Sequence, residues 1–119
     1  MKFVLDKNRA LSPQICEHIC LQIALGEYMP DSKIASVREA ALDFSVNPNT
    51  VQRSYETLEV QGILYSVRGS GWYVASDISI AKQMLEVVLE EKTAQYFESM
   101  AALGYTVEDV KSYVKEWKA

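Results

Sequence analysis

Between Ser36 and Ser70 lie the side chains of this chain best suited to recognising a polar surface. Arg38, Arg53 and Arg68 each carry a planar guanidinium that can donate two parallel hydrogen bonds to paired acceptors. Asn47, Asn49 and Gln52 bring amides that donate and accept at once, and Ser36, Thr50 and Ser70 bring hydroxyls. Gly69 lets the backbone come close to whatever it meets. This is the chemistry of recognition rather than of bond making. The chain has one histidine, no His/Cys/carboxylate cluster at metal-ligand spacing, and no phosphate-cradling glycine loop ahead of a helix. Gly69-Ser70-Gly71 is no nucleophile elbow, because no helix follows it closely. Neither enzymatic activity, a metal nor a cofactor is expected.

The elements that must position these residues are written around them. Ser36-Val37-Arg38-Glu39 opens a helix as a capping box, the serine hydroxyl taking a free backbone N–H while Glu39 reaches back. Phe44-Ser45-Val46 makes a turn. Asn47-Pro48 then restarts the chain with an N-cap and a proline at the first helical position, where no N–H is needed. This second helix runs to Gln61 and stops at Gly62. Ile63 to Val67 and Trp72 to Val74 read as strands joined by Arg68-Gly69-Ser70-Gly71. Ala40, Ala41 and Phe44 face inward on one helix and Val51, Tyr55 and Leu58 on the next, which leaves Asn49, Gln52 and Arg53 on other faces. Helix, turn, helix and glycine-tipped hairpin in this order is the layout of a winged helix, which places one helix in the major groove of DNA.

Ahead of this block, residues 2–11 read as an extended or loosely structured arm. Ser12-Pro13 is expected to cap a first helix that Gly26 ends. Cys16 and Cys20, one turn apart beside Ile15, Ile19 and Ile23, read as small buried apolar residues. His18 lies roughly 200° around the helix from Cys16, so the three do not converge on one metal. Redox sensing, or a metal site completed by another segment, is the lesser alternative. Lys33-Ile34-Ala35 reads as a short strand beside the hairpin.

After residue 75 the pattern changes. Residues 77–103 show helical spacing without Gly or Pro, a helix of about 26 residues and ~39 Å. Gly104 ends it, and Thr106 to Asp109 cap a last helix with a stripe of Val107, Val110, Tyr113, Val114 and Trp117. Two helices cannot cover that much apolar surface, so the tail is expected to pack on a second copy through Met84, Leu85, Val88, Phe97, Met100, Tyr113 and Trp117. The alternative is that both helices fold back onto the winged helix. The fold expected is therefore mainly α with a small β-hairpin wing: a winged helix-turn-helix over residues 1–75 and a two-helix dimerisation tail over residues 76–119.

The bulk numbers fit a soluble cytoplasmic protein: 49% hydrophobic, 24% charged, with no apolar run near the ~20 residues that span a bilayer. A net charge of −4 is unusual for a DNA binder. Residues 1–75 hold seven Lys/Arg against eight Asp/Glu, and residues 76–119 five against eight, so most of the acidic excess sits in the tail. Few phosphate contacts per subunit are expected, and two subunits would be needed for useful affinity.

Ser36-Val37-Arg38-Glu39, Val46-Asn47-Pro48-Asn49-Thr50-Val51-Gln52-Arg53, Leu58-Glu59 with Gln61-Gly62-Ile63-Leu64, and Arg68-Gly69-Ser70-Gly71 with Tyr73-Val74 resemble the GntR family of bacterial transcriptional regulators. The Asn-Pro-Asn-Thr-Val run and the short tail resemble its YtrA subfamily. The resemblance implies that Arg38 reaches a base edge, with guanine O6/N7 the natural target of its fork. It implies phosphate contacts for Ser36 and Thr50, adenine pairing for Asn49 and Gln52, and a DNA-facing role for Arg53, with Asn47 at the head of the reading helix. Arg68, Gly69 and Ser70 resemble a wing tip that touches the minor groove. Three departures stand out: Ala35 where the family usually has proline, Asp31 where glycine usually follows the loop proline, and Pro48 where many relatives carry a base-reading arginine. The function implied is a homodimeric repressor reading a palindromic operator in double-stranded DNA. The alternative is a winged-helix protein-interaction module that binds no DNA. A small-molecule effector, if one acts, is expected between subunits or between tail and DNA-binding part, because ~44 residues cannot enclose a ~300–1,000 Å³ pocket.

Overall fold

Three isoleucines set the first helix: Ile15, Ile19 and Ile23 recur at i and i+4, and all three are buried with Cys16 and Cys20. The computed structural model describes residues 3–119 and orders them as α1 (Leu11–Ala24), α2 (Val37–Phe44), α3 (Pro48–Val60), β1 (Leu64–Val67), β2 (Gly71–Val74), α4 (Ser79–Ala102) and α5 (Val107–Glu116). α3 packs against both α1 and α2 and against β1. Val51, Tyr55 and Leu58 of α3 meet the α1 isoleucines in one core, closed by Ile34, Ile63, Leu64 and Val74. β1 and β2 pair antiparallel, Leu64 opposite Val74 and Val67 opposite Gly71. The short strand expected at Lys33 is a single antiparallel bridge from Lys33 to Tyr73.

Helix α1 starts differently from expectation. It begins at Leu11, its N-cap is Ala10, and no side chain caps it. The Ser12 hydroxyl lies instead 2.9 Å from the hydroxyl of Ser54 on α3. Pro13 sits inside the first turn, where its missing N–H costs nothing. Gln14 has taken over the task of fastening this end. Its side chain is only 8% exposed; its Oε1 accepts the Asp6 N–H at 2.8 Å, and its Nε2 donates to the carbonyls of Asp6 and Ala10.

The segment ahead of α1 is consequently not loose over its described residues; Lys2, the first residue of the expected arm, lies outside them. Leu5 joins the core. Phe3 stacks on His18 at 3.9 Å, and both rings meet Phe44 of α2 edge-on. Lys7 Nζ donates to the carbonyls of Phe44 and Ser45, neutralising the C-terminal end of α2. Sequence periodicity cannot show such ties, because each joins residues far apart in the chain.

The chain divides into two compact units, one ending at Leu85 and the other Glu86–Ala119. The first extends past the expected boundary at residue 75 because Ala81 is 1% exposed in its core, with Ile78, Met84 and Leu85 packed against it. Met84 and Leu85, expected to pair two copies, are thus already partly covered within one chain. In the second unit, α5 is capped where expected, and by a reciprocal capping box: Thr106 Oγ1 accepts the Asp109 N–H, and Asp109 accepts the Thr106 N–H. Val110 is buried there, whereas Val107, Tyr113, Val114 and Trp117 of the same stripe are exposed. Among the described residues no helix is long and apolar enough to cross a membrane.

Two outcomes test these ties. Gln14→Ala strands three backbone groups at the start of α1 and is expected to lower unfolding stability by ~1–3 kcal/mol in urea titration. Burial holds the His18 imidazole below its ordinary pKa, outweighing the pull of Glu27. Below about pH 6.5 the unfolded chain therefore takes up a proton that the folded chain resists, and stability falls as the pH drops. Comparing urea midpoints at pH 7.5 and 5.5, the native protein should lose more than His18→Gln; equal losses would remove His18 from the pH response.

Candidate nucleic-acid interface

The interface begins with a fixed turn of backbone ahead of α2. Ser36 is the N-cap; its Oγ accepts the Glu39 N–H at 3.1 Å, and Glu39 Oε1 accepts the Ser36 N–H at 3.0 Å. These bonds hold the Glu39 carboxyl below its ordinary pKa, so it stays charged at the positive end of the helix dipole. One residue earlier, the Ala35 carbonyl accepts the Tyr55 hydroxyl at 2.8 Å. Tyr55 is buried and its phenol is pushed up by burial, so it is a neutral donor throughout the physiological range. Arg38, in the first turn of α2, is exposed.

Helix α2 ends at Ser45, whose φ of 56° is the left-handed conformation that stops a helix. Asn47 then caps α3, its Oδ1 accepting the Asn49 N–H at 2.8 Å, with Pro48 at the first helical position as expected. Asn49, Gln52 and Arg53 are exposed, and Thr50 is half-buried. The Gln52 amide donates to Glu56 Oε1 at 3.0 Å, which leaves its carbonyl oxygen and second N–H for an outside partner. Three acids near Arg38 and Arg53 have other partners: Glu39 serves the cap, Glu56 takes Gln52, and Glu59 takes the Ser66 N–H and hydroxyl at 3.1 and 2.7 Å.

Glu59 thereby ties the wing to α3. At the wing tip Arg68, Gly69 and Ser70 are all exposed, and the Ser70 N–H closes the turn on the Val67 carbonyl at 2.9 Å. The Ser70 hydroxyl is paired with Tyr73, whose ring stacks on Tyr65 at 5.5 Å. Gly71, at φ 137°, holds a backbone conformation that other residues rarely adopt, and a Cβ there would also press on Lys33 Cε at 3.1 Å.

Three positioning residues escaped the sequence reading. Tyr55 was legible as core but not as the donor to Ala35. Glu59 gave no signal of its own. Asp31 did give one, as a departure from glycine: its φ is 62°, a left-handed conformation that asparagine and aspartate tolerate better than most residues. Its Oδ1 accepts the Tyr65 hydroxyl of β1 at 3.1 Å and the Ser76 hydroxyl at 2.7 Å, two bonds that glycine could not make. Cys16 and Cys20 are free and buried, and burial raises the Cys20 thiol to about 11. Among the described residues no cluster of His, Cys, Asp and Glu could hold a metal ion.

Residues 11–74 match the family described as "Bacterial regulatory proteins, gntR family". The HTH-type transcriptional repressor YtrA of Bacillus subtilis is 32% identical over 110 residues, covering 89% of this chain and 80% of that protein. A GntR family transcriptional regulator from Listeria monocytogenes has the same fold at a TM-score of 0.83 and 33% identity, over 96% of this chain and 100% of that one. The DNA-binding domain of AraR, solved in complex with operator ORX1, superposes at a TM-score of 0.54 and 33% identity, over 63% of this chain and 92% of that domain. The capping box, the Asn-Pro restart and the glycine-tipped wing thus stand in a chain that belongs to the GntR family of bacterial transcriptional regulators, with a DNA-binding winged helix-turn-helix at its N-terminal side.

Proposed function

We propose that the chain is a repressor that works as a homodimer in the cytoplasm, its two winged helices reading the halves of a palindromic operator. The observation that carries the reading is the state of the exposed cations and amides. Arg38 stands in the first turn of a helix whose cap is closed, and Glu39, Glu56 and Glu59 are bonded to other groups. A guanidinium held this way suits guanine O6/N7. Ser36 and Thr50 suit the phosphates flanking it, at helix N-termini where anions are favoured. Asn49 and Gln52 suit adenine edges, with Asn47 fixing the first turn of the reading helix. Arg53 supports them, and Arg68, Gly69 and Ser70 suit the minor groove. YtrA is named a repressor, and the AraR domain is bound to an operator, which supports the same reading here.

The tail supports pairing. Tyr113 and Trp117 are 58% and 62% exposed, and an open groove of about 780 Å³ lined by Tyr96, Met100, Leu103, Tyr105 and Tyr113 lies in the second unit. Apolar surface of this extent on so small a unit is suited to a second copy. Val88, Phe97 and Met100, with the uncovered parts of Met84 and Leu85, complete the surface.

Fluorescence anisotropy on DNA from upstream of the protein's own gene, beside scrambled DNA, tests the reading. Arg38→Ala is expected to weaken the specific complex by ~1–3 kcal/mol. Unchanged binding would remove Arg38 from base readout, and binding to neither DNA would favour a protein-interaction module. Sedimentation of Trp117→Ser with Phe97→Ser should show monomers where the native protein shows dimers; a native monomer at working concentrations would end the pairing model.

A further inference from the structure

The second unit holds another groove, and its lining is unlike the composition around it. Residues 86–119 carry seven carboxylates against four lysines and no arginine. Three of those four lysines, Lys92 on α4 and Lys111 and Lys115 on α5, line one open groove of about 620 Å³ whose surface also includes Tyr96, Phe97 and Val114. None of its lining residues, among those described, is acidic. Cations scattered over an acidic two-helix unit would be expected to pair with the acids on their own helix faces. Here they collect around aromatic and aliphatic surface instead.

We infer that this groove binds a small organic phosphate with an apolar or aromatic body. The lysines supply strongly hydrated point charges, the usual partners of a phosphate when no guanidinium fork is present. The rings of Tyr96 and Phe97, set edge to face at 6.0 Å, and the side chain of Val114 supply an apolar surface for the body of the ligand. A ligand site of this kind is mostly apolar with a few convergent polar groups. The volume falls within the ~300–1,000 Å³ typical of small-molecule sites. Tyr96 and Phe97 are shared with the surface proposed for pairing, whereas the three lysines are not, so substitutions at the lysines test the two assignments apart.

The test uses the full chain and 1-anilinonaphthalene-8-sulfonate as a fluorescent aromatic anion. Phenyl phosphate serves as competitor, and the sulfonate-free N-phenyl-1-naphthylamine as the neutral control. The native protein should bind the sulfonate more than tenfold tighter than the neutral amine, and phenyl phosphate should displace it. The combined substitution Lys92→Gln, Lys111→Gln and Lys115→Gln should weaken sulfonate binding more than tenfold at unchanged circular dichroism, while Lys118→Gln, outside the groove, should not. Equal binding of the neutral amine, or of the triple variant, would reduce the groove to general apolar adhesion and overturn the inference. Failure of phenyl phosphate to compete would overturn the phosphate class. Absence of binding would overturn it as well, and if the triple variant then changed its oligomeric state, a second copy would be the occupant.

Discussion

The hydroxyl of Tyr55 is the point on which the DNA-binding part depends. It is buried in the core among the isoleucines of α1, yet it donates to the Ala35 carbonyl immediately ahead of the Ser36 cap. The same ring meets Trp72 of the wing at 5.5 Å. One side chain of the reading helix therefore fixes both the start of α2 and the strand that carries the wing. A buried phenol without a partner would carry the full cost of desolvation, so the position of the Ala35 carbonyl is enforced and not merely preferred. Arg38 inherits its placement from that bond.

Around this centre the chain uses its polar groups in two distinct ways. Glu39, Asn47, Glu59, Asp31 and Gln14 are committed to backbone or hydroxyl partners and hold elements together. Arg38, Arg53, Arg68 and Asn49 lie exposed on the elements those groups hold. An acidic chain can in this way serve DNA: much of the negative charge of the first unit does structural work. Phosphate attraction remains modest for one subunit, which is the physical ground for the pairing proposed above.

The second unit follows a different logic. Helix α5 is well capped, but its apolar stripe is covered only at Val110. A unit of this size leaves most of its stripe uncovered. It carries two grooves of different chemistry, one lined by Met100 and Tyr113 and the other by lysines, on which the proposed second copy and ligand rest.

The sequence by itself determined whatever is decided within a few residues. The capping box at Ser36, the cap at Thr106, the Asn47-Pro48 restart, the ends at Gly62 and Gly104, the wing tip and the burial of the cysteines were all legible, because caps, turns and helical periodicity act over one or two turns of chain. The exposure of Arg38, Asn49, Gln52 and Arg53 was legible for the same reason. Tertiary structure alone decided what joins distant positions. It moved the start of α1 from the Ser12-Pro13 signal to Leu11, since Ser12 found a better partner in Ser54 and Gln14 took the arm. It placed Ala81, Met84 and Leu85 with the winged-helix core, and it gave Asp31 two partners and Tyr55 its carbonyl. A hydrogen bond across 20 or 45 residues leaves no periodic trace in the chain, because only the packing of the core brings its two ends together.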